Sequence, residues 1–90
     1  MDSYLISFSL NDNSDYDRVS ERIRTYSKWA RVMDNVWFVL SDSKLTEVRE
    51  SISSIINENG GSVMVVKVNN DAWGTYSVSK EVTDWMKENI

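Results

Sequence analysis

The sequence predicts an α+β domain built on an antiparallel sheet, and three stretches of it carry that reading. Residues 4–10, YLISFSL, alternate between the two sides of an extended chain. Leu45, Val48, Ile52, Ile55 and Ile56 recur at helical spacing. Residues 28–40, KWARVMDNVWFVL, form an apolar run interrupted by the turn-forming pair Asp34-Asn35, which reads as a hairpin.

Each element follows in order. In the first strand Tyr4, Ile6, Phe8 and Leu10 share one face, and Leu5, Ser7 and Ser9 share the other. The polar NDNSDYD that follows supplies turn residues, with Asp15 expected to accept from the free amides that open a helix. Helix one is expected to reach about Tyr26, because Tyr16, Val19, Ile23 and Tyr26 form one stripe. The hairpin strands are expected at Trp29 to Met33 and Val36 to Leu40, since Asp and Asn tolerate the positive φ of a tight turn. Ser43 is the expected cap of helix two, and Gly60 and Gly61 end it. Residues 62–68, SVMVVKV, are apolar on both faces, which predicts a strand covered on both sides. A loop bearing Trp73 and Tyr76 then leads to a short C-terminal helix from about Ser79 to Asn89, with Val78, Val82, Trp85 and Met86 on its apolar side. The order strand, helix, strand, strand, helix, strand is the ferredoxin-like βαββαβ pattern. It predicts one domain over residues 1–90, with a four-stranded antiparallel sheet and two helices on one face.

Composition removes several chemistries. The 90 residues include neither cysteine nor histidine, so a disulfide framework, a thiolate metal site and an imidazole base are all excluded. Any catalysis would run on Asp, Glu, Lys, Tyr or Ser, and no cofactor is expected. No apolar run approaches the ~18 residues of a membrane span, and no signal peptide is recognisable at the N-terminus, so a cytoplasmic protein without membrane contact is expected. The net charge is −4, yet residues 16–31 gather Arg18, Arg22, Arg24, Lys28 and Arg31 against only Asp17 and Glu21. That stretch is the one local basic face on which nucleic acid could rest.

The combination of YLISFSLN, a basic amphipathic helix, a tryptophan before the hairpin, NVWFVLSD and VMVVKV resembles a family of small bacterial and phage proteins described as SinR-like. It is similar also to the ferredoxin-like CRISPR-associated nuclease-fold subunit that partners the spacer integrase. The resemblance spans roughly residues 4–68, and the tail tryptophans are shared with the SinR-like group alone. It implies a homodimer formed through the open sheet face and the C-terminal segment. In the CRISPR-associated relatives an aspartate closing the first strand is thought to bind a divalent metal for phosphodiester cleavage. Here that place is Ser9, and a hydroxyl is a poor substitute for a carboxylate as a magnesium ligand.

The candidate ligand-binding residues are therefore Ser7, Ser9 and Asn11 at the end of the first strand, with Arg31 approaching from the hairpin, and Trp73 and Tyr76 in the tail loop. The candidate dimer interface comprises Leu5, Trp37, Val63, Val65 and Trp85. These residues point to a non-catalytic homodimeric module that binds a nucleotide, a short nucleic acid or a partner protein. Two alternatives stand beside it: a phage-type inhibitor that sequesters a host defence protein or its signal, and a metal-dependent endonuclease using Asp12 or Asp15.

Overall fold

The computed structural model of the chain describes residues 1–90. The elements are β1 (Asp2–Leu10), a 3-10 turn (Asn13–Asp15), α1 (Tyr16–Ile23), β2 (Lys28–Met33), β3 (Val36–Ser41), α2 (Leu45–Ile56), β4 (Gly61–Val68) and α3 (Lys80–Asn89). The strands form one sheet in the order β2-β3-β1-β4, and every neighbouring pair is antiparallel. This α+β architecture is compatible with a ferredoxin-like arrangement.

The period-two pattern of β1 decides which side each residue takes. Tyr4, Ile6 and Phe8 are buried beneath α1 and α2, and the register sets Ile6 between Trp37 of β3 and Val65 of β4. Val19 and Ile23 of α1 and Val48, Ile52 and Ile56 of α2 complete one apolar cluster with them. Each such side chain contributes about 1.5–3 kcal/mol on burial, which makes this face the main source of stability.

The opposite face is covered by α3, but only in part. Phe38, opposite Ala30 and Leu5, points away from α1 and α2, and the Trp85 ring stacks on it with centroids 6.5 Å apart. Ala30, Phe38 and Met86 are buried there, and Ser3 Oγ donates to Asn89 O at 2.8 Å. The tail helix thus packs on its own sheet, over β2 and β3. The β1–β4 half of that face carries no helix. Met64 and Val66 remain 58% and 38% exposed, so β4 is covered on one side rather than the two expected from its composition.

Four local expectations are corrected. Helix one stops at Ile23, because Thr25 N–H turns back to Arg22 O and Tyr26 N–H to Ile23 O. Tyr26 still packs against the core, with its hydroxyl 3.2 Å from Ser51 Oγ. Asp15 caps nothing; Asp12 instead accepts from Ser14 N–H at 2.9 Å. The Asp15 carboxylate is fully buried, paired with Arg18 and accepting from Asn59 Nδ2 at 3.3 Å.

The hairpin turns at Asp34-Asn35 as expected, yet neither residue has a positive φ. A register shift between Arg31 and Met33 absorbs the twist instead. Its carbonyls are tied inward: Asp34 O accepts from Tyr16 OH at 2.8 Å and Trp37 Nε1 at 3.0 Å, and Asn35 O from Phe8 N at 3.1 Å. Ser43 does not cap α2. Lys44 holds that position, and its N–H donates to Glu47 Oε1 at 3.0 Å. Gly60 after α2 has φ 82°, the left-handed region that glycine enters without strain, and the Asn11 side chain lies against it.

Candidate functional site

The polar cluster expected at the end of β1 divides between the two faces. Ser7 and Ser9 lie on the uncovered half, opposite Met64 and Ser62 of β4, and border a shallow depression of about 210 Å³. Asn11 sits beyond the strand end against Gly60. Arg31 is not with them. It lies opposite Trp37, which lies opposite Ile6, so its side chain belongs to the α1 side of the sheet.

What Arg31 joins is a cleft of about 520 Å³ between the β2 edge and the first turn of α3. Alternation along β2 places Trp29 and Arg31 on one side of this edge strand, and the early end of α1 brings Arg24 to the same opening. The far wall is made by α3 at Ser79, Glu81 and Trp85. Ser79 Oγ accepts from Val82 N–H at 3.3 Å and so fixes the helix start. Trp29 is 39% exposed; its ring leans on Trp37 with centroids 5.6 Å apart and planes at 47°.

The basic stretch is not uniform in what its side chains do. Arg18 pairs with Asp15, Arg22 Nη1 donates to Ser51 O at 3.3 Å, and Lys28 Nζ donates to Asn89 Oδ1 at 3.4 Å. Arg24 and Arg31 form no ion pair within the chain. Two free guanidiniums, an exposed indole and one carboxylate, Glu81, therefore meet in one cleft. Guanidinium forks match phosphate or carboxylate oxygens, and an indole offers a stacking surface.

The tail aromatics stand elsewhere. Tyr76 is 94% exposed and Trp73 partly so, and neither lines the cleft. Of the five residues expected at a dimer interface, four are placed inside the chain's own packing. Trp37 is 1% exposed in the main cluster, Val63 and Val65 pack on that cluster opposite Phe8 and Ile6, and Trp85 covers Phe38. Only Leu5 lies on the uncovered strip, beside Val66 and Met64. The missed signal was parity. In an antiparallel pair Leu5 shares its face with the even-numbered residues of β4 opposite it, not with Val63 and Val65.

The acidic residues near the first strand are already engaged. Asp12 accepts from Ser14, and that bond to the backbone amide holds its carboxyl below the usual carboxylate range. Asp15 is enclosed with Arg18 and Asn59. No cluster of three acidic side chains is gathered anywhere in the chain. No helix is long and apolar enough to cross a membrane.

No protein-family model matches the sequence, and no curated protein matches it. Among solved structures, the fold is similar to that of a hypothetical protein, TT1823, from Thermus thermophilus. The TM-score is 0.68 at 13% identity, over 87% of this chain and 94% of that one. At that identity the likeness concerns the fold alone.

Proposed function

We propose that the chain is a non-catalytic, homodimeric binding module with ferredoxin-like topology, acting in the cytoplasm. One observation carries this reading. The strip formed by Leu5, Ser7, Met64 and Val66 is apolar or neutral, lacks a helix, and runs beside the free edge of β4. A second copy suits it better than a charged partner, because two chains of net charge −4 meet there without opposing carboxylates. Antiparallel β4 to β4 pairing would join two sheets and satisfy edge groups that otherwise invite indiscriminate association. The resemblance to SinR-like proteins agrees with a dimer.

The test is native mass spectrometry and light scattering of the full chain, together with Val66→Lys. A dimer that becomes monomeric in the variant, with unchanged thermal unfolding of the monomer, is the expected result. A wild-type chain that stays monomeric at every concentration overturns the dimer.

A further inference from the structure

We infer that the cleft between β2 and α3 binds a nucleotide, its phosphate held by Arg24 and Arg31 and its base stacked on Trp29. This deepens the binding-module reading and rests on it for the claim that the chain binds rather than transforms its ligand.

The first ground is charge. The chain has 14 acidic and 10 basic residues, so carboxylates are in excess. Even so, Arg24 and Arg31 line one opening with no carboxylate paired to either. Two like charges brought to one cleft repel, and an anion between them relieves that repulsion while using both forks. The amino end of α3 forms the facing wall, so the helix dipole has the same sign as the two guanidiniums.

The second ground is the indole. Trp29 leans on the buried Trp37, which fixes it before any ligand arrives, yet much of its surface faces outward. A rigid, half-exposed ring beside two phosphate-binding forks is the combination that takes a base and its phosphate together. The third ground is size and shape. A volume of about 520 Å³ lies within the roughly 300–1,000 Å³ range of small-molecule sites. Glu81 on the far wall supplies an acceptor for a sugar hydroxyl or a base amine, and it disfavours a bare inorganic anion.

The ligand chemistry is a phosphate adjoining an aromatic base, and it has two sources: a free nucleotide or a nucleotide within a single strand. The test titrates the full chain with AMP, ADP, a short single-stranded oligonucleotide, adenosine and inorganic phosphate, reading tryptophan fluorescence and calorimetric heat. Saturable binding of AMP or ADP assigns the free nucleotide, and binding of the oligonucleotide alone assigns the strand. In either case Arg31→Gln and Arg24→Gln should each weaken binding roughly tenfold, the effect of removing one charge-assisted hydrogen bond. Trp29→Ala should abolish the preference for nucleotide over inorganic phosphate. Circular dichroism confirms that the variants fold, and all three positions are exposed.

No binding of any nucleotide or oligonucleotide by the folded wild type overturns the inference, as does binding that neither arginine substitution weakens. The oligomeric state, measured separately, keeps the two readings apart. A dimer that binds no nucleotide sinks the cleft and leaves the dimer. A monomer that binds one does the reverse.

Discussion

The two faces of the sheet are built from the same strands and stabilised to different degrees. Beneath α1 and α2, ten side chains from four elements, β1, α1, β3 and α2, close into one cluster around Ile6, Ile23, Trp37 and Ile52. Beneath α3, three buried residues, Ala30, Phe38 and Met86, are joined by a single stacked ring and two contacts from Asn89. Alternation along a strand assigns sides but not coverage; coverage depends on how much helix the rest of the chain supplies. Here it supplies enough for one face and half of the other.

That contrast is sharpest at Trp37. Trp37→Ala should destabilise the protein by about 3–5 kcal/mol, because it opens a cavity in the main cluster and also removes the indole bond to Asp34 O. Chemical denaturation with a global probe reads it. Met86→Ala should cost about 2 kcal/mol, at the low end for a buried methionine because the second face can settle around the gap. Hydrogen exchange should show faster exchange in α3 with β1 and β3 still protected. Equal loss of protection throughout would mean that the two faces unfold as one.

Tyr16→Phe comes next. Its hydroxyl ties the hairpin turn to α1, and losing that bond should cost about 1 kcal/mol, read by denaturation together with the Asp34-Asn35 amide signals. The smallest effect concerns pH at the start of α3, where the Lys80 ammonium lies 2.7 Å from Asp84. That hydrogen bond lowers the Asp84 carboxyl below its ordinary value of 3.8 and raises Lys80 above 10.5. The aspartate's contribution is present above pH 3.8 and lost as acid carries the solution through its lowered value. The lysine's is present below pH 10.5 and lost as base carries it through its raised one. NMR titration of α3 should show it frayed at both extremes and intact between them.

The elements were legible because their signals are local. The alternation of Tyr4, Ile6 and Phe8, the break at Asp34-Asn35 and the stripe of Val48, Ile52 and Ile56 each occupy a few consecutive turns or residues. The helix-one stripe misled at its end: Tyr26 keeps its place on the core although the helix stops three residues earlier, since a turn delivers the side chain equally well. The site was far less legible. Arg24 and Arg31 stand out from Arg18 and Arg22 only once Asp15 and Ser51 are seen to occupy the latter pair. Nothing near Trp29 in the sequence announces that residues 79–85 will form the facing wall. Four of the five expected interface residues lie within the chain's own packing for a related reason, because a tryptophan such as Trp37 attracts attention by its type, whereas its face is set by register with strands far along the chain.

The central position of β1 also bears on how the protein is made. Its two hydrogen-bonding neighbours are β3 and β4, so the strand synthesised first is enclosed last, once residues 61–68 have emerged. At about 5–20 residues per second, that interval lasts a few seconds on the ribosome, with the edge of β1 that pairs with β4 left open. A nascent chain is therefore expected to carry one open edge of β1 until β4 has been made, and slow codons ahead of β4 should lengthen that exposure.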